Sequence, residues 1–262
     1  MHLNIMKVVT FNANSIRSRT QIIIDWLAEN NPDVLCVQET KAQDKDFPTE
    51  AFAKTGYEFV FKGEKSYNGV AIFSKHKITD VEYGLDSEPQ DPARMIKAKT
   101  AGITVINTYI PQGFEIESEK YQYKLDWFKR LLEYLKKHFK PTDKILWVGD
   151  LNIAYEAKDV YDPISLDGTV CFNKQLSQIF EKFMDWGFVD LFRKYHKDSG
   201  QFSFWDYRDP NGFKRNHGWR LDYIMGTEPM AKICTDCYVD KKPRMLEKPS
   251  DHTPVVADFN IS

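Results

Sequence analysis

Cysteine is scarce in this chain, with only four in 262 residues, at positions 36, 171, 234 and 237. That is too few for a disulfide scaffold, and two of them lie beside apolar runs, so a reducing, intracellular setting is expected. Cys234-Thr235-Asp236-Cys237 has no second ligand pair nearby and sits in a strand-like stretch, so it is read as structural. No run approaches the roughly 18 apolar residues of a membrane span, and Met1 to Lys7 has no apolar core of signal-peptide length. A soluble, cytoplasmic protein with no membrane partner is the expectation. An excess of either charge is also missing. Thirty-six Lys and Arg against 38 Asp and Glu leave a net charge of −2, which excludes a coat for polyanions but not a local basic face. With no low-complexity tract, internal repeat, Pro-rich linker or composition break, residues 1–262 are expected to form a single domain; a monomer is also expected. Ligand spacings rich in His or Cys are absent too, which disfavours zinc.

What is present is a globular balance of 42% hydrophobic and 28% charged residues, enough for a large core. Residues 7–11, 33–37 and 145–149 read as buried strands, and 57–61 with 68–74 and 94–99 with 103–109 read as hairpin pairs. Further strands are expected at 189–192, 202–206, 221–225 and 253–259. Ile22, Ile23, Trp26 and Leu27 form one face of a helix capped by Ser18 or Thr20 and stopped at Asn31-Pro32. Residues 117–138 carry Tyr121, Leu125, Phe128, Leu131, Leu132 and Leu135 at helical spacing. A third helix over 173–186 buries Leu176, Ile179, Phe180 and Phe183 and ends at Gly187. Between these helices, 155–172 is irregular and polar, as a functional surface loop would be. Strands outnumber helices and several are apolar on both faces, which predicts two packed sheets with helices outside.

Several strand ends carry polar groups: Asn12 and Asn14, Glu39, Tyr109, Asp150 with Asn152, and Asp222, with Ser250-Asp251-His252 just before the last strand. A single acidic residue after an apolar strand is usually a solvated turn. A sheet protein gathers such ends along one edge, however, so these can converge. Asp150 and Asn152 are two apart and project to the same side of an extended chain. Glu39 and Asp251 are hard oxygen donors of the kind Mg²⁺ takes, and Asn12 or Asn14 can orient a carboxylate or a bound water. His252 beside an acid such as Asp222 can hold one tautomer and donate to a phosphate oxygen. A cation, several carboxylates, an imidazole and a tyrosine together suit hydrolysis of a phosphodiester.

Six stretches carry a resemblance. They are Val8 to Asn12, Pro32 to Lys41, Asn107 to Gly113, Gly149-Asp150-Leu151-Asn152-Ile153, Gly218 to Tyr223 and Lys248 to Pro254. In wording and order they resemble the motifs of the exonuclease III family of apurinic/apyrimidinic endonucleases, spread over nearly the whole chain. The resemblance implies an α/β fold: the four-layered α/β-sandwich shared with deoxyribonuclease I, two mixed sheets flanked by helices. It implies a Mg²⁺-dependent DNA repair phosphodiesterase, with Mn²⁺ as a substitute, that cuts double-stranded DNA 5′ to abasic sites. A 3′ to 5′ exonuclease or 3′-phosphodiesterase activity would accompany that cut. It implies Glu39 on the divalent ion with Asn12, Asn14 and Asp251 around it. Asp150 would then activate water, Asn152 hold the scissile phosphate, His252 steadied by Asp222 contact a phosphate oxygen, and Tyr109 stabilise the transition state or the leaving oxygen. The resemblance leaves the identity of the general base open. Asn14 departs from the Gly or Asp of many relatives, which shifts weight onto Glu39.

Phe204, Trp205, Trp219 and Leu221 flank the Asp222 motif and resemble an apolar pocket for an extruded abasic sugar, which costs little to flip because no base is unstacked. Core packing is the competing reading, above all for Trp205. Gln112 and Arg220 are further substrate contacts. Arg208, Lys214 and Arg215 lie in the same region, and Lys241, Lys242, Arg244 and Lys248 precede the Asp251 motif, all placed for phosphate contact. A superfamily phosphatase acting on an inositol phosphate or sphingolipid, and a non-catalytic DNA-binding module, are the competing functions.

Overall fold

Valine and isoleucine crowd the strands, and a strand that is apolar on both faces needs cover on both. The computed structural model describes residues 5–85 and 91–261. In chain order its elements are β1 (Ile5–Asn12), α1 (Ile16–Asn30), β2 (Val34–Gln38), α2 (Thr49–Ala53), β3 (Glu58–Lys62), β4 (Val70–Ser74), β5 (Thr79–Tyr83), β6 (Met95–Thr100) and β7 (Ile103–Tyr109). Then come α3 (Glu119–His138), β8 (Ile145–Asp150), α4 (Lys174–Trp186), β9 (Phe188–Asp190), α5 (Leu191–Tyr195), α6 (Gly212–Arg215), β10 (Asp222–Thr227), α7 (Glu228–Ile233), β11 (Cys234–Val239) and β12 (Val255–Asn260). The strands form two six-stranded mixed sheets, in the orders β11-β12-β1-β2-β4-β3 and β5-β6-β7-β8-β10-β9.

Alternate strand residues divide between two faces, so each sheet feeds two cores. Val8, Cys36, Ile72, Val105, Val148 and Ile224 point into the seam between the sheets. Val9, Phe11, Leu35 and Phe73 point the other way, onto Ile23, Trp26 and Leu27 of α1 and Phe52 of α2. On the second sheet Ile106, Trp147, Tyr223 and Met225 pack outward onto Trp127, Phe128 and Leu131 of α3 and Phe180 and Phe183 of α4. The result is the expected four-layered sandwich, helix on sheet on sheet on helix. Both hairpin pairs form, as antiparallel β3/β4 and β6/β7.

Three local expectations change, and one strand was not expected. Helix α1 starts at Ile16, and its cap is Ser15, whose Oγ accepts from the Ser18 amide at 3.4 Å, so Ser18 and Thr20 are inside the helix. The strand expected at 189–192 ends at Asp190, because the Asp190 carboxylate accepts from the Arg193 amide and starts α5 with Leu191 and Phe192 in it. Residues 202–206 form no strand. Phe204 makes only isolated bridges to Trp219 and His252, which bend the segment onto the end of the sheet. β5 leaves little signal because it is an exposed edge strand in which Val81 alone packs toward the core between the sheets.

Candidate active site

β1 and β2 run parallel, as do β7 and β8, while β12 and β10 run antiparallel to them. The C-terminal ends of the first four and the start of β10 therefore reach one rim, where the loop before β12 also arrives. Tyr109 lies opposite Asp150 across β7/β8, and Asp222 opposite Asp150 across β10/β8. Gly149 permits this: at φ 139° a Cβ there would sit 1.9 Å from the Thr108 carbonyl oxygen. Below the rim, buried amides link the two sheets. Gln38 Nε2 donates to Asn107 Oδ1 at 2.7 Å, and Asn107 Nδ2 donates to the Val37 and Ala71 carbonyls at 3.0 and 2.9 Å.

At the centre, the fully buried Asn12 donates through Nδ2 to Glu39 Oε1 and to Asp150 Oδ2, each at 2.8 Å, holding two carboxylates from different sheets together. His252 Nδ1 lies 2.8 Å from Asp222 Oδ2, and a carboxylate only accepts, so the proton is on Nδ1 and Nε2 faces Asp150 Oδ2 at 3.7 Å. Burial works against a charged His252, but Asp222 and Asp150 outweigh it and lift the imidazole above its ordinary range. Burial also lifts the Asp150 carboxyl, with Asp222 and Glu39 adding to the shift and His252 opposing it. Burial pushes Glu39 up as well, yet the Lys41 ammonium at 2.6 Å, the Asn12 amide and His252 bring it below the usual carboxylate range. Lys41 also donates to Asn14 Oδ1, and Asn14 Nδ2 donates to Asp251 Oδ1 at 2.9 Å. The Tyr109 phenol is held neutral by burial and by Glu39 and Asp150, with the Arg94 guanidinium 5.1 Å from its ring and bonded to its carbonyl.

Asp150 Oδ1 accepts from the Asn152 amide at 2.9 Å, and Asn152 Nδ2 reaches the Ile110 carbonyl at 3.0 Å and Asp150 Oδ2 at 3.3 Å. Above these groups opens a cleft of about 920 Å³. Its floor includes Glu39, Tyr109, Asp150, Asn152, Asp251 and His252, and its wall Phe204, Trp219 and Leu221. Asn14, Gln112 and Arg208 also line it. Arg220 does not reach the cleft. It is 1% exposed and tied to Asp159 and Asp190, because a guanidinium on the inward side of this strand end needs buried acids. Trp205 is fully buried, as core packing requires.

Ligand atoms of Glu39, Asp150 and His252 lie within 4.8 Å of one another, among the described residues the one such group. Two hard oxygen donors on crowded carboxylates suit a divalent cation, so the donor set fits a metal. Asn12 stands aside from it: its Nδ2 is spent on the two carboxylates and its Oδ1 accepts from the Asn14 amide, so it aims ligands instead of supplying one. Lys41, Arg94, Gln38 and Asn107 had no role assigned from sequence. Gln38 precedes Glu39 and Lys41 follows it by two residues, and that placement inside the stretch Pro32 to Lys41 is the trace they leave in the chain.

A profile of the Endonuclease/Exonuclease/phosphatase family matches residues 9–252, from β1 through His252. The chain belongs to that family. Within it, the chain is 31% identical to the exodeoxyribonuclease III of Haemophilus influenzae, over 97% of this chain and all of the other. Among solved structures it is similar to an AP endonuclease from Archaeoglobus fulgidus, at 51% identity and a TM-score of 0.96, covering 98% of this chain and 100% of that one. A 3′ phosphatase from Neisseria, solved bound to a product DNA hairpin, matches at 37% identity and a TM-score of 0.92 over 97% and 99% of the two chains. Family membership makes the chain a phosphoester hydrolase and accounts for the shared sandwich. No helix among the described residues is long and apolar enough to cross a membrane.

Proposed function

We propose that this nuclease is a Mg²⁺-dependent DNA repair enzyme that hydrolyses the backbone of double-stranded DNA 5′ to abasic sites. One observation carries the reading: Glu39, Asp150 and His252 converge at the floor of a cleft whose wall is Phe204, Trp219 and Leu221. A phosphodiester needs the charged floor, and a sugar without a base suits the apolar wall.

Glu39 would hold a divalent ion, with Asn14 and Asp251 beside it, and the bound ion would supply positive charge against the phosphate. Mn²⁺ would substitute. Asp150 aligns the attacking water and takes its proton, with both its oxygens steered by the amides of Asn12 and Asn152. Asn152 holds the scissile phosphate. Its 3.3 Å bond to Asp150 is the longer of its two amide contacts and is the one a phosphate oxygen would replace. His252, fixed by Asp222, donates from Nε2 to a phosphate oxygen, and the neutral Tyr109 hydroxyl supplies a proton to the leaving 3′ oxygen. Arg208, exposed at the rim, and Gln112 extend the contact surface for DNA. Every group is supplied by one chain, so a monomer suffices.

The test incubates the protein and Mg²⁺ with a duplex carrying one abasic analogue, beside an intact duplex, a recessed 3′ end and a 3′-phosphate end. Incision 5′ to the analogue, abolished by EDTA and restored by Mg²⁺, is expected. Cutting that ignores EDTA, or no incision there, would sink the reading. Turnover at the 3′ ends alone would favour the second reading, a 3′-end-processing enzyme, which the likeness to the Neisseria 3′ phosphatase supports.

A further inference from the structure

Helix α3 is amphipathic, and its inner face, Tyr121, Phe128, Leu131 and Leu135, is interrupted by Lys124, which is fully buried. A buried ammonium loses its hydration and needs strong compensation. Among the described residues, Lys124 has no carboxylate to pair with. Its Nζ donates to three backbone carbonyls: Asn152 at 2.7 Å, Val170 at 2.8 Å and Gln112 at 3.2 Å. Burial accordingly pushes its pKa below the ordinary value, only partly opposed by Cys171 and Asp150.

The three carbonyls belong to three separate segments of the cleft. Gln112 is in the loop after β7, three residues beyond Tyr109. Asn152 follows β8, and Val170 is in the long segment 155–172 whose residues 168–171 line the cleft. The aliphatic stem of Lys124 fills the space beneath the first loop, since a Cβ on Gly113, at φ 100°, would meet Lys124 Cδ at 3.2 Å and Val170 Cγ2 at 2.9 Å. Asn152 itself holds a left-handed backbone, φ 50°, a conformation that costs a side-chain-bearing residue free energy unless its surroundings enforce it. Its carbonyl is the one nearest the ammonium.

We propose that Lys124 is a positioning residue for the phosphate site, one buried cation that clamps three loops and fixes the left-handed turn at Asn152 so that its side-chain amide faces the cleft. The inference rests on the reading of Asn152 as the phosphate-holding amide. Lys124 touches no substrate. It acts through Asn152 and, less directly, through Gln112 and the Val170 wall. Misplacing such a group by about 1 Å costs on the order of 100-fold in rate.

The experiment is a double-mutant cycle on the full chain, with Lys124→Met, Asn152→Ala and the pair, measuring kcat and KM on the abasic duplex. Met keeps the volume of the stem and removes the charge. Lys124→Met is expected to lower kcat by about 100-fold with KM changed less than about threefold, and to have almost no further effect once Asn152 is Ala. A second measurement is independent of activity. Hydrogen exchange in Lys124→Met is expected to accelerate together at 110–113, 151–154 and 168–172, while the central strands stay protected. An equal rate loss in both backgrounds would overturn the inference, as would unchanged exchange at those three segments. A wild-type protein that does not cut the abasic duplex would overturn the proposed reaction, and the exchange result would then decide the role of Lys124.

Discussion

Glu39, Lys41, Asn14 and Asn152 share an uncommon backbone state, with φ of 50°, 49°, 44° and 50°. Each such residue costs on the order of 1–3 kcal/mol unless its surroundings enforce the turn, and such strain gathers where side chains must be aimed. Here the enforcement is visible: Asn12 and Lys41 grip Glu39, and Asp150 and Lys124 grip Asn152. Because Asp150 and His252 sit in finished hydrogen-bond settings at the cleft floor, Asp150→Asn or His252→Asn is expected to lower turnover by orders of magnitude while DNA affinity hardly changes. Steady-state rates beside a binding titration without Mg²⁺ check this, and parallel losses of both would assign the two residues a structural role. Glu39→Gln keeps the shape of the residue and removes its charge, so the Mg²⁺ concentration for half-maximal rate should rise, a direct readout of its hold on the ion. The residues that converge on the cleft floor were legible in sequence because polar groups stood out against apolar strands. Lys124 was not, since a lysine in a helix is ordinarily a solvated residue, and only its place among Tyr121, Phe128 and Leu131 marks it.

At the scale of the element, α1 shows a conflict settled by the site. Ser15 caps the helix, yet it does so at φ 98° and ψ 104°, a region that glycine occupies without penalty. The turn from Asn12 to Ser15 must bring Asn12 and Asn14 to the cleft and also start α1, and the serine carries the strain. A glycine at an N-cap loses only a few tenths of a kcal/mol, while relief of the strained backbone is worth about 1 kcal/mol or more. Ser15→Gly is therefore expected to raise stability, and Ser15→Ala, which drops the cap and keeps the strain, to lower it by about 1 kcal/mol. Urea unfolding of the two variants beside the wild type gives the signs. A stabilised alanine variant would show that the cap contributes nothing. Helices α3 and α4 followed from spacing because each buries a stripe of large apolar side chains. β5 and the ends of α5 did not, because an exposed edge and a capping carboxylate leave no periodic trace.

At the scale of the molecule, the sheet end that carries the site rests on a buried ionic cluster. Asp159 receives Arg193 and Arg220, and Arg220 also pairs with Asp190. This cluster joins the segment 155–172 to the strand end at Trp219 and Leu221, where the Arg220 amide donates to the Asp159 carbonyl at 2.8 Å. Burial alone would raise the Asp159 pKa, but the two guanidiniums win and hold it below its ordinary value. A carboxyl whose folded pKa lies below its unfolded value, about 4, contributes stability that is complete well above that pH and is lost as pH falls through the folded value. Asp159→Asn removes the acid that Arg193 and Arg220 share, leaving Arg220 with Asp190 alone and Arg193 with Glu156 at 3.9 Å, and should cost about 3 kcal/mol at pH 7. The gap between variant and wild type should close as pH drops below about 4, seen as converging denaturant midpoints. A gap that stays constant from pH 7 to pH 3 would remove Asp159 from the account. By itself the sequence determined the alternation of buried strands and amphipathic helices, hence the layers, and the polar residues at the strand ends, because both are written in local periodicity. Only the tertiary structure decided which of those ends touch, that Arg220 turns inward to acids while Trp219 and Leu221 face the cleft, and that one lysine serves three loops. These are contacts between residues tens to hundreds of positions apart, set by sheet order and register, and no local pattern in the chain encodes them.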